Sequence, residues 1–108
     1  MEKALVLLNP LARGGRGKEL WEIARPEVEK IYSMDIALPD EAETGILTAI
    51  NAGTRTFIAA GGDGTVNLLL NHLAALKGTI PLEQFALGAV GLGSSNDFHK
   101  PFGRKIGS

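Results

Sequence analysis

Gly61-Gly62-Asp63-Gly64-Thr65 places three glycines around one carboxylate, where the apolar run Ile58-Ala59-Ala60 gives way to the leucine-rich stretch from Val66 to Leu73. Glycine reaches positive φ at little steric cost and lets backbone N–H groups approach a ligand with no side chain between. If a helix starts at Gly64 and Thr65, its unpaired N–H groups and positive dipole end favour an anion at the same spot, and phosphate is the natural guest. Asp63 is the odd member, because a bare carboxylate repels phosphate. It can accept backbone or ribose hydrogen bonds, or act through a bound Mg²⁺ that reverses the local charge relation.

Two further segments have the same character. Asn9-Pro10-Leu11-Ala12-Arg13 opens the stretch NPLARGGRG, and Gly93-Ser94 lies within GLGSSND. Each has a plain structural reading as well. A glycine pair at a strand-to-helix junction is often only turn geometry, Arg13 and Arg16 can be solvated charges, and Ser94 and Asn96 can cap a short helix. Standard nucleotide motifs do not fit: Ala12 stands where a P-loop needs glycine, Glu19 follows Lys18 where it needs Ser or Thr, and Asn96 replaces the third glycine of G-x-G-x-x-G. His72 and His99 lack metal-ligand spacing and read as surface or helix-end residues, leaving no metal ligand set.

The elements that must position these loops alternate along the chain. Apolar runs at 3–9, 55–60 and 85–90 read as strands, and 32–38 as a strand of more exposed position. Helical spacing runs from Lys18 to Ile31 through Leu20, Trp21, Ile23, Ala24, Val28 and Ile31, with Pro26 predicting a kink or break. A second helix opens at Pro39-Asp40, where Asp40 and Glu43 have capping-box spacing, and closes at Gly53. A third carries Val66, Leu69, Leu70, Leu73 and Ala74 and stops at Gly78. This order predicts a single α/β domain over 1–108, a three-layer α/β/α arrangement with a mainly parallel sheet. Loops that follow strands in such a sheet share its carboxyl edge, where ligands bind near a switch in strand order. All three unusual loops follow strands.

Composition limits what else the chain can be. Its 108 residues, 44% of them hydrophobic, are enough for one core that buries about two thirds of the unfolded surface. With no cysteine, disulfides, thiolate metal sites and thiol catalysis are excluded, which fits a reducing cytoplasm. A formal charge of −1 gives no global field for nucleic acid, so phosphate recognition has to be local. No stretch approaches the ~18 apolar residues of a membrane span.

Asn9-Pro10 after the first strand, Gly61-Gly62-Asp63-Gly64-Thr65-Val66-Asn67 after the third and Gly93-Ser94-Ser95-Asn96-Asp97-Phe98 after the fourth together resemble the diacylglycerol kinase catalytic-domain family, which includes bacterial lipid kinases and sphingosine and ceramide kinases. The resemblance implies the N-terminal nucleotide-binding lobe of an ATP-dependent lipid kinase, with the fold of NAD kinases and diacylglycerol kinases. It places ATP and Mg²⁺ near Asn9, Pro10, Leu11, Ala12 and Arg13, near the 61–67 segment, and near Gly93 and Ser94, and it gives Asp63 the catalytic position. Gly91 stands for a usual proline, Ser95 for a glycine, and Leu38 for a nucleotide-contacting threonine.

The family's second, β-rich lobe carries the lipid acceptor site and further catalytic groups, so the resemblance implies a truncated enzyme with little phosphoryl transfer of its own. It leaves room for peripheral membrane contact by the parent and for a homodimer. An NAD-kinase-like lobe and a catalytically silent nucleotide-binding module are the alternatives. Asp63→Ala is expected to spare the fold, and Gly64→Val to damage nucleotide binding through backbone strain.

Overall fold

The computed structural model describes residues 1–76, 82–91 and 104–105. Its elements are β1 (Glu2–Leu8), α1 (Ala12–Gly15), α2 (Gly17–Glu29), β2 (Tyr32–Ala37), α3 (Ala42–Asn51), β3 (Thr56–Gly61), α4 (Asp63–Ala74), β4 (Ala86–Gly91) and β5 (Arg104–Lys105). The strands form one sheet in the order β2-β1-β3-β4-β5, parallel except for the short β5, which runs antiparallel to β4. The α/β class and the parallel sheet are therefore as the sequence predicts.

Strand periodicity divides the core. Leu5, Leu7, Phe57 and Ala59 face one side, where they meet Ile46 and Ile50 of α3 and Leu69 and Leu73 of α4. Ala4, Val6, Leu8, Ile58, Ala60 and Val90 face the other, against Trp21, Ala24 and Val28 of α2. Successive side chains of a strand point to opposite faces, so β1 and β3 need apolar residues throughout and read as unbroken hydrophobic runs. Phe57 and Phe85 meet edge to face, with ring centroids 5.6 Å apart and an interplanar angle of 74°. This is the layered arrangement with helices on both faces.

Strand β2 is the edge, and Ser33, Asp35 and Ile36 are exposed on it. Helix α3 ends in a Schellman arrangement: Gly53 N–H donates to Ile50 O at 3.0 Å and Thr54 N–H to Ala49 O at 2.9 Å, with Gly53 at φ +99°. No helix among the described residues is long and apolar enough to cross a membrane.

Four local expectations change. Helix α2 passes through Pro26 without a break. Pro26 lies on the exposed face close to the helix end, while Trp21, Ala24 and Val28 on the opposite face remain packed, so burial of that face outweighs one lost backbone bond. Ile23 and Ile31, which the spacing assigned to the buried stripe, are 59% and 51% exposed. The predicted capping pair Asp40 and Glu43 is replaced by Glu41: its carboxylate accepts Leu38 N–H at 3.3 Å. Pro39 starts a 3-10 turn, Pro39–Glu41, that moves the α-helical start to Ala42 and shifts the cap with it. Helix α4 ends at Ala74, ahead of the expected stop at Gly78, which itself lies outside the described residues.

Candidate functional site

The strand order reverses between β1 and β3. The chain leaving β1 passes over one face through α2 to β2 at the edge, and the chain leaving β3 passes over the other face through α4 to β4. Loops that leave neighbouring parallel strands toward opposite faces open a crevice between them, the usual ligand position in such sheets. The Asn9 loop and the Gly61–Asp63 junction lie on its two sides. Leu8 pairs with Ala60 in register, and Asn9 N–H continues the ladder by donating to Ala60 O at 3.0 Å.

Asn9 also organises its own loop. Its Oδ1 accepts Leu11 N–H at 3.0 Å and its carbonyl accepts Ala12 N–H at 3.2 Å, an Asx turn that leads into α1. Pro10 and Ala12 are half-buried and Leu11 is 75% exposed at the tip. Arg13 belongs to α1. Gly14 and Gly15 adopt φ +67° and +98°, so positive φ is used in this loop. Arg16 makes a solvent-exposed ion pair with Glu19, with Nη2 2.7 Å from Oε1.

Across the crevice, Gly62 is the N-cap of α4 and offers no side-chain cap, so Asp63 and Gly64 present the first helical N–H groups. Thr65 and Val66 N–H both donate to Gly62 O, at 3.1 and 3.2 Å. Asp63 is exposed at the first turn of α4, where the helix dipole favours its negative charge. Val66 packs partly against the core and Asn67 is exposed. Thr65 is 4% exposed, and its side chain occupies the space that a side chain on Gly61 would need.

The glycines of this junction are not there for positive φ, as their sequence context suggests. None of Gly61, Gly62 and Gly64 has that conformation; it is confined to Gly14, Gly15 and Gly53 among the described residues. The expectation of backbone strain in Gly64→Val is therefore wrong. Space is the reason instead: a Cβ on Gly61 would stand 2.3 Å from Thr65 Oγ1, whereas one on Gly62 or Gly64 meets no atom of the described residues within 4 Å. Gly61 lets the helix close on the strand, and Gly62 and Gly64 leave the backbone bare at the start of α4.

Of the sequence-predicted residues, Asn9 to Arg13 and Gly61 to Asn67 are brought to one edge by neighbouring strands. Gly93 and Ser94 lie outside the described residues, and so does His99. His72 is near the end of α4, away from the glycine junction. Strand β4 aligns Gly91 with Gly61, so the chain also leaves β4 at this edge. One raised pKa belongs to Tyr32, where burial and then the Glu2 carboxylate disfavour the phenolate; this lies at the start of β2, on the opposite edge of the sheet. The sequence reading missed Gly17, which is buried beneath the Asn9 loop. Its only signal was a glycine at the spot where the RGGR stretch turns into helical spacing.

The chain resembles known proteins in sequence. Over 58 residues, 54% of this chain, it is 43% identical to a protein of Cronobacter sakazakii described as a probable lipid kinase YegS-like. Over 99 residues, 89% of the chain, it is 29% identical to the mitochondrial acylglycerol kinase of Xenopus laevis. The matched segments are 18% and 23% of those relatives' own lengths, so the chain spans about a fifth of each. The model of the diacylglycerol kinase catalytic domain matches residues 3–106, nearly the whole chain, and the chain belongs to that family.

Proposed function

We propose that this chain is the ATP-binding part of a lipid kinase that transfers the γ-phosphoryl group of ATP to a lipid hydroxyl, diacylglycerol-like or sphingoid. The observation that carries the reading is the pair of loops at the β1/β3 switch point, one pinned as an Asx turn and the other a side-chain-free helix start. Phosphoryl transfer asks little covalent chemistry of a protein and much positioning and charge stabilisation. The bare N–H groups at Asp63 and Gly64 suit phosphate oxygens, and no described residue crowds the space over Gly62 and Gly64.

Asp63 is the charged group of this junction and the proposed catalytic residue. Mg²⁺ is commonly held by one or two carboxylates together with substrate phosphates and waters, so a single exposed Asp63 fits that mode. When bound, the metal supplies charge neutralisation between carboxylate and phosphates. Asn9 to Arg13 form the opposite wall for the nucleotide, with Gly93 and Ser94 as further contacts. The lipid acceptor is assigned to parts of the enzyme outside these 108 residues, which accounts for the proposed inactivity of the segment alone.

The test is phosphoryl transfer from labelled ATP by the full-length protein, with diacylglycerol, monoacylglycerol, ceramide and sphingosine offered in mixed micelles and NAD as a non-lipid acceptor. Label is expected in a lipid. Asp63→Ala should lower turnover at least 100-fold with an unchanged circular dichroism spectrum. Transfer to NAD alone, or near-wild-type turnover in the variant, would refute the reading.

A further inference from the structure

Gly17 opens α2 and is buried, yet its φ lies outside the left-handed region. Space explains its identity. A Cβ there would stand 2.2 Å from the Asn9 carbonyl oxygen and 2.9 Å from both the carbonyl carbon and oxygen of Pro10. All three are backbone atoms, so no rotamer change makes room. The same Asn9 carbonyl accepts Ala12 N–H, while Asn9 N–H holds Ala60 O and Asn9 Oδ1 holds Leu11 N–H. The loop is tied to β3 on one side and rests on the bare α-carbon of Gly17 on the other.

We propose that Gly17 is a positioning residue for nucleotide binding: its missing side chain, together with the Asx turn of Asn9, sets where the Asn9–Pro10 loop stands at the β1/β3 crevice. This rests on the nucleotide reading above. Gly17 itself lies beneath the loop and contacts its backbone rather than the ligand. Moving the Asn9 carbonyl from 2.2 Å to an ordinary 3.4 Å contact would displace it by about 1.2 Å. Misplacement of roughly 1 Å can lower rates about 100-fold when the displaced group orients a substrate.

The experiment compares wild type and Gly17→Ala by calorimetric titration with Mg·ATP and by amide hydrogen exchange. Affinity is expected to fall about tenfold or more, a change of about 1.4 kcal/mol. Exchange should accelerate at Leu11 and Ala12, while Val6 and Ile58 in the sheet keep wild-type protection. Wild-type affinity with unchanged exchange at Leu11 and Ala12 overturns the proposal, and so does a loss of protection that spreads through the sheet, which would make Gly17 a general packing residue. If Gly17→Ala does not fold, Asn9→Ala removes the Oδ1 acceptor without adding an atom. It should speed exchange at Leu11 and weaken Mg·ATP binding, with Asn9→Asp restoring the protection of Leu11; unchanged exchange in Asn9→Ala overturns the proposal. A wild-type protein that binds no Mg·ATP refutes the nucleotide reading itself, an outcome distinct from a Gly17→Ala variant that binds as well as wild type.

Discussion

Exchanging Gly64 for Ala, beside the same exchange at Gly61, should separate nucleotide binding from stability. Gly64 is the second residue of α4, its φ is not positive, and an added Cβ meets no atom of the described residues within 4 Å. Alanine is more favourable than glycine inside a helix by up to about 1 kcal/mol, less near an end, so Gly64→Ala should leave stability unchanged or slightly raised. The new methyl would project into the space proposed for phosphate. A tenfold loss of Mg·ATP affinity, about 1.4 kcal/mol, is the smallest effect consistent with a close backbone contact there.

Gly61 has the opposite surroundings. A Cβ would lie 2.3 Å from Thr65 Oγ1, 2.9 Å from Thr65 Cβ and 3.3 Å from Asn9 Cβ. Thr65 is β-branched, helical and buried, so it has little rotamer freedom with which to yield. Overpacking of this kind costs about 1–3 kcal/mol, and each kcal/mol lowers the melting temperature of a domain this size by roughly 4–8 °C. Trp21, the single tryptophan and 1% exposed, reports melting by fluorescence, and calorimetry reports Mg·ATP binding. Gly61→Ala should lose both stability and affinity, and Gly64→Ala affinity alone. The reasoning fails if Gly64→Ala binds Mg·ATP as wild type does, or if its melting temperature falls as far as that of Gly61→Ala.

Two more outcomes follow from the packing. Phe57→Ala removes a fully buried ring with an edge-to-face partner and should cost about 3–5 kcal/mol in urea unfolding, whereas Phe57→Leu should cost clearly less. Gly53→Ala forces a side chain into φ +99° at the end of α3 and should cost about 1–3 kcal/mol; Mg·ATP titration of the folded variant should match wild type, because Gly53 follows a helix and lies on the opposite edge from the Asn9 loop.

Much of the architecture was legible because burial leaves marks that survive in a single sequence. Ala4 to Leu8 and Phe57 to Ala60 are unbroken apolar runs because each alternates between two cores, and this identified them as central strands. The more exposed position of β2 was legible in residues 32–38, but its place at the sheet edge was not. Legibility failed where the outcome depended on atoms far apart in the chain. Pro26 carries a strong local signal for a break, and only the packing of Trp21 and Val28 against the sheet overrides it. Ile23 matches helical spacing yet falls outside the buried arc, because spacing alone does not fix its width, and Ile31 lies past the helix end at Glu29. Gly17 was missed for the same reason: nothing next to it in sequence reveals that Asn9 and Pro10 fold back onto it. The candidate site was legible as loop chemistry at one edge, but not in what each glycine does there.

The glycines at the crevice divide according to which side of the backbone needs room. Gly17 and Gly61 are tight: side chains there would strike Asn9, Pro10 or Thr65, so these positions let α2 and α4 close on the strand ends. Gly62 and Gly64 are open, with no atom of the described residues within 4 Å of where a Cβ would stand, so packing among the described residues supplies no reason for glycine there. A helix start that needed only a cap would do slightly better with Ser, Asp or Asn at the position of Gly62, and one that needed only propensity would do better with Ala at Gly64. The chain forgoes both gains two residues apart, beside an exposed carboxylate and across from a pinned loop. Bare backbone whose first N–H groups have no partner among the described residues, kept against local preference at a switch point, is what the proposed phosphate site would require.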